Sequence, residues 1–230
     1  MSVSYRQDES TAVITMDDGK VNVLGPAMLA AINTALDRAE ADGAGAVVIA
    51  GNERVFSAGF DLKVFRSGDV QASIDMLTAG FELSHRLLSF PTPVIAACTG
   101  HAIAMGSFLA CSTDHRIAAA SYNFQANEVV NGMVLPYPAL EVMKLRLTRS
   151  AYQQAVGLSK TFFGETALAA GFVDEVVMPD MVRERALDAA REFVSTLNAR
   201  AHHACKLRAR QETLDAIRSG IDNLHTEFGL

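Results

Sequence analysis

Two loops of small residues carry the chemistry that this sequence offers most directly. The first runs Val55-Phe56-Ser57-Ala58-Gly59-Phe60-Asp61-Leu62-Lys63 out of an apolar strand and into a helix. The second, Gly100-His101-Ala102-Ile103-Ala104-Met105-Gly106-Ser107, opens a helix in the same way. Small side chains let a ligand come close to the backbone. Amides in a first helical turn have no acceptor within the helix and lie at the positive end of its dipole. Such N–H groups receive negative charge that develops on an oxygen, as when a carbonyl is polarised. Either loop alone is a weak motif that also reads as an ordinary strand-to-helix turn. Further on, Phe124-Gln125-Ala126-Asn127-Glu128 supplies a carboxylate that by itself reads as a solvated loop residue, because glutamate is rarely buried.

The elements that must hold these loops alternate. Thr11–Met16 and Ala46–Ala50 read as strands around a helix at 26–40, where Met28, Leu29, Ile32, Leu36 and Ala39 recur at helical spacing behind Pro26. Val94–Ala97 and Arg116–Ala120 read as further strands on either side of the apolar run Ser107–Cys111. This rhythm predicts an α/β protein with a parallel sheet, whose ligand sites lie where strand ends turn into helices. Beyond Thr148 the chain turns mostly helical, with a short helix at 166–171, an extended piece at 172–177 and an amphipathic helix through Val182, Ala186, Ala190, Phe193 and Leu197. Leu207, Leu214, Ile217, Ile221, Leu224 and Phe228 form a final apolar seam with no later element to cover it. Its partner is either the same domain or another subunit. The segment 67–80 reads as mobile.

Half of the 230 residues are hydrophobic and the formal net charge is −6, without a basic block. A sizeable core is expected, and nucleic-acid binding is not. The polar start of the chain and the lack of a long apolar run predict a cytoplasmic protein that does not enter a membrane. Cys98, Cys111 and Cys205 read as reduced core thiols, and the histidines form no ligand set, so no metal is expected.

Phe56-Ser57-Ala58-Gly59-Phe60-Asp61-Leu62, followed some forty residues later by Pro93-Val94-Ile95-Ala96-Ala97 and by the second loop, resembles the crotonase superfamily of enoyl-CoA hydratases and isomerases. Asp114-His115-Arg116-Ile117 and the segment 167–177 extend the likeness, which fades beyond Pro179. The resemblance implies a β-β-α spiral core over residues 1–179 and a C-terminal helical oligomerisation region over 180–230. It also implies an acyl-CoA thioester as substrate, with coenzyme A as part of it and no separate cofactor, and a homotrimer or dimer of trimers.

Carried onto this chain, the resemblance places the two oxyanion-hole amides on Phe60 and Met105 and the catalytic base on Glu128. Lys20, Val21, Ala58, Gly59, Phe60, Asp61 and Leu62 then line the path of coenzyme A, with Gly106 and Phe108 beside the thioester. Lys20, Arg54, Lys63 and Arg66 are the nearest cations for its phosphates. Hydratases of this kind use two glutamates, and the first of them falls here on Phe108, which neither orients nor activates water. One carboxylate and an oxyanion hole suffice to shift a double bond. The run from Asn127 to Pro136 resembles Δ3,Δ2-enoyl-CoA isomerases, so isomerisation of 3-enoyl-CoA is the leading expectation. An enoyl-CoA hydratase and a catalytically degenerate acyl-CoA-binding scaffold are the alternatives. His101 is expected to be packed or hydrogen-bonded rather than catalytic.

Overall fold

A computed structural model describes residues 2–228 of the chain; Met1, Gly229 and Leu230, the outermost ends of the two expected regions, lie outside the described residues. The strands are β1 (Val3–Asp8), β2 (Thr11–Met16), β3 (Val23–Leu24), β4 (Ala46–Ala50), β5 (Val55–Ser57), β6 (Gly59–Phe60), β7 (Val94–Cys98), β8 (His101–Ile103), β9 (His115–Ala119), β10 (Asn123–Gln125), β11 (Phe162–Phe163) and β12 (Glu175–Val177). The helices are α1 (Pro26–Ala41), α2 (Leu62–Arg66), α3 (Val70–Ser89), α4 (Met105–Cys111), α5 (Tyr137–Arg146), α6 (Arg149–Leu158), α7 (Gly164–Ala170), α8 (Val182–Thr196), α9 (Ala199–Asp222) and α10 (Leu224–Glu227).

One sheet has the order β1-β2-β4-β7-β9-β12 and a second the order β11-β10-β8-β5. Each of three successive units places its first strand in the first sheet (β4, β7, β9) and its second in the other (β5, β8, β10), before a helix closes the turn. Both sheets therefore advance by one parallel strand per turn. This is the strand-strand-helix spiral that the resemblance implied.

The central strands β4 and β7 are buried at every position, as expected for parallel strands covered on both faces. Alternation along them divides the core. Val47, Ile49, Val94 and Ala96 face the large cluster built on α1, α3, α5 and α9, while Ala46, Val48, Ala50, Ile95 and Ala97 pack under Val182, Ala186, Ala189 and Ala190 of α8.

Three expectations need correction. Residues 67–80 are not a mobile segment: α3 begins at Val70, with the Asp69 side chain accepting from Ala72 N–H at 2.9 Å. Ile74, Leu77, Phe81 and Leu88 are buried along it, so packing outweighs the modest propensity of its Ser, Thr and Gly residues. Most of the apolar seam of the last helix is covered by the chain itself. Leu214, Ile217, Ile221 and Leu224 are buried against the chain itself, where α9 runs along α3 and α5. Lys206 Nζ and Arg210 donate to Asp114 at 2.6 and 2.8 Å and tie α9 to the start of β9. Residues 180–228 thus contribute to the core on both faces of the sheet, while Leu207 is only partly buried and Phe228 is exposed. Finally, Cys98 and Cys111 are buried but Cys205 is exposed on α9.

Because Ile217 is fully buried in the intramolecular seam, Ile217→Ala is expected to lower the unfolding free energy by about 2–5 kcal/mol. Urea titration measures this, and an unchanged midpoint would mean that the seam is not packed.

Candidate active site

The three parts singled out by sequence converge at one edge of the second sheet. β5, β8 and β10 are neighbouring parallel strands. Phe60, Met105 and Glu128 follow their carboxyl ends, the position where parallel sheets present ligand sites.

The first two loops touch. A Cβ placed on Gly59 would stand 2.9 Å from Ala104 Cβ, 3.0 Å from Ile103 O and 3.2 Å from Met105 N. Gly59 also has φ +93°, so only glycine suits both the space and the backbone. Gly106 is as tightly placed, since a Cβ there would meet Ser57 O at 2.3 Å. Ala104 takes φ 50° and ψ −125°, an unusual conformation for a residue with a side chain. Its N–H donates to Gln125 O at 2.8 Å. The next residue, Met105, is the first of α4, so its N–H has no acceptor within the helix.

The side chains behind these amides are apolar. Met105 is fully buried and belongs to the core. Phe60 is partly exposed and meets Phe65 and Phe81 edge-on, with ring centroids at 6.2 and 6.0 Å. Its ring lies over Gly80 of α3, where a Cβ would come within 2.5 Å. Phe60 is therefore the one of the pair with a face left for a ligand. Phe108 is 1 % exposed and packs in the core.

Glu128 is only 8 % exposed, and its Oε2 has no protein hydrogen-bond partner among the described residues. Loss of solvation pushes its pKa up to about 7, partly opposed by its own backbone N–H. The turn that holds it is closed by Asn131 and Met133, whose N–H groups both donate to Glu128 O at 2.9 Å, and by Gly132 at φ +71°. The solvated reading of this residue is thereby replaced by a buried, unpaired carboxyl.

The expected coenzyme A path forms a rim beside the first loop. Ala58 N–H donates to Val21 O at 3.0 Å, and β3 pairs with β6 so that Val23 lies opposite Gly59. Lys20, Val21 and Leu62 are exposed there, and the Asp61 carboxylate caps α2 by accepting from Lys63 N–H. Arg54, Lys63 and Arg66 are exposed. His101 accepts from Asn123 N–H at 3.0 Å and packs on Tyr122, as expected of a structural imidazole.

Sequence reasoning assigned no role to Asn22, Ser57, Ser107, Gln125 or Gly80. All sit at contacts between segments distant in sequence, and only the small or polar identity of Ser57 and Ser107 inside otherwise apolar motifs hinted at them. Two surface grooves lie elsewhere. One of about 520 Å³ is at the bend between α8 and α9, and one of about 630 Å³ is between α5 and the C-terminal helices. Neither is lined by Glu128 or by either loop. Among the described residues no cluster of three or more His, Cys, Asp or Glu is placed to hold a metal, and no helix is long and apolar enough to cross a membrane.

Residues 6–227 match the family described as Enoyl-CoA hydratase/isomerase. The chain belongs to that family. Two solved structures of a Mycobacterium tuberculosis protein superpose closely. One, described as an enoyl-CoA isomerase, is 64% identical with a TM-score of 0.96 and 98% of each chain covered. The other, described as probable enoyl-CoA hydratase EchA3, is 65% identical with a TM-score of 0.99, covering 100% of this chain and 97% of that one. The probable enoyl-CoA hydratase EchA17 of the same organism is 32% identical over 157 residues, 66% of this chain. The match spans 59% of the length of that relative. Both descriptions are thus attached to structures that this chain closely resembles.

The raised pKa of Glu128 has a consequence for stability. A carboxyl whose pKa is higher folded than unfolded stabilises the fold at low pH, and that contribution is lost as pH rises through the folded value. Here the loss runs from about 4.5 to about 7 and amounts to about 3 kcal/mol at most. Glu128→Gln is therefore expected to melt above the wild type at about pH 8, with the difference closing towards pH 4.5. Thermal unfolding across this range checks it; a pH-independent difference would contradict the burial of the charge.

Proposed function

We propose that this chain shifts the double bond of 3-enoyl-CoA thioesters to the 2-position, with Glu128 as the only proton carrier. The observation that carries the reading is the pairing of a buried, unpartnered Glu128 with Phe108, a fully buried phenyl ring in the place of a second carboxylate. Ionised Glu128 removes a proton from C2 of the thioester. The electron pair moves into the carbonyl, giving a dienolate whose oxygen is received by the Phe60 and Met105 amides. Glu128 then returns the proton at C4, leaving the double bond between C2 and C3. No water enters the balance.

Losing one donor from such a hole costs about 2.7–4 kcal/mol in activation free energy, so two make the enolate accessible. A carboxyl with a pKa of about 7 suits both halves of the shuttle at neutral pH. Hydration needs a second group to hold and activate water, and Phe108 supplies none. The names of similar proteins include hydratase, which makes hydration the competing outcome.

Purified protein is expected to convert 3-hexenoyl-CoA, followed spectrophotometrically, far faster than it hydrates 2-hexenoyl-CoA. Glu128→Gln should lower this isomerisation by about 10²–10⁴-fold. Because the base works ionised, wild-type kcat/KM should rise with pH and level off above about 7. Ready hydration without isomerisation would overturn the proposal, and tight acyl-CoA binding with no exchange of the C2 proton would favour a binding scaffold.

A further inference from the structure

We propose that Ser57 and Ser107 are positioning residues, each fixing the backbone of one of the two carbonyl-polarising loops; this rests on the acyl-CoA reading above. Both are fully buried, and both use the hydroxyl to join separate segments. Ser57 Oγ donates to Asn22 O at 2.7 Å and accepts from Gly59 N–H at 3.1 Å. Gly59 must lack a side chain to fit against Ala104 and Met105, and that same lack leaves its backbone free to turn. The hydroxyl removes the freedom at the residue just before the Phe60 amide. Its anchor is itself fixed, because the fully buried Asn22 donates from Nδ2 to Met16 O at 2.9 Å and to Phe56 O at 3.2 Å.

Ser107 does the same for the second loop. Its Oγ donates to Ala102 O at 2.5 Å and accepts from Gln125 N–H at 3.2 Å. Gln125 also receives Ala104 N–H on its carbonyl oxygen. Loop two is thus held to β10 on both sides of Ala104, which keeps that residue at positive φ and directs the peptide that follows, the one carrying Met105 N–H. The two anchors meet where Gly59 abuts Ala104 and Met105. Amides that must receive a developing charge need fixed geometry, since a shift of about 1 Å can cost about 10²-fold in rate.

Ser57→Ala and Ser107→Ala are tested separately in the full chain. The carbonyl stretch of bound hexadienoyl-CoA, read by infrared or Raman difference spectroscopy, reports polarisation of the thioester directly. Wild type should lower that frequency, and each variant should lose much of the lowering. Turnover of 3-hexenoyl-CoA should fall about 10- to 10²-fold in kcat, with KM little changed. Thr113→Val serves as the control. It removes another buried hydroxyl, one that donates to Ala110 O at 2.7 Å beyond the far end of α4, and should lower the melting temperature without altering the frequency. Serine variants that melt lower yet keep the wild-type frequency and kcat overturn the proposal, and if one variant does not fold the other decides. A wild type that shows no lowering removes the acyl-CoA reading itself, a different failure.

Discussion

Taking a carboxylate out of water without giving it a hydrogen-bonded partner costs several kcal/mol, and the arrangement around Glu128 follows from that cost. The group answers by holding its proton more tightly, up to a pKa of about 7. At neutral pH it is then divided between its two forms, so taking up and giving back a proton changes little in free energy. What keeps the carboxyl buried is the closed turn at 128–133 and the strand before it. That strand, β10, also accepts Ala104 N–H and grips Ser107. Glu128 and the second loop are therefore set by the same pairing of β8 with β10.

Much of this was legible in the sequence, for physical reasons that differ from element to element. Val94–Cys98 and Ala46–Ala50 announce themselves because strands buried on both faces are apolar throughout. The glycines of the two loops mark places with no room for a side chain, and Gly59 and Gly106 fill that role. The seam on α9 was visible as a period, yet a period does not name its partner. One of its two partners, α3, has a first half rich in small and polar residues and reads poorly in isolation. Glu128 shows the limit most clearly: its burial depends on a turn, a second sheet and packing that no local pattern encodes, and only its place in a family pattern pointed to it. The serines that tie the loops were hidden for the same reason, since each has one partner far along the chain, Asn22 at 35 residues from Ser57 and Gln125 at 18 from Ser107.

The chain belongs to the enoyl-CoA hydratase/isomerase family, and on the proposed reading the backbone amides serve either reaction. The division between reactions falls to side chains, and position 108 is where this chain departs from the two-carboxylate pattern. A phenyl ring there contributes to the core, with 1 % of it exposed, and it is the residue on which the proposed choice of isomerisation over hydration rests. Similar proteins carry both descriptions.

On the proposed reading, Glu128 is a desolvated carboxyl able to carry a proton at neutral pH. Its own titration tests this most directly, by following the carboxyl signals of ¹³C-glutamate-labelled protein by NMR and identifying the resonance absent from Glu128→Gln. The expected midpoint is near the value of about 7 set by burial. A midpoint in the ordinary glutamate range, about 4–5, would contradict the account.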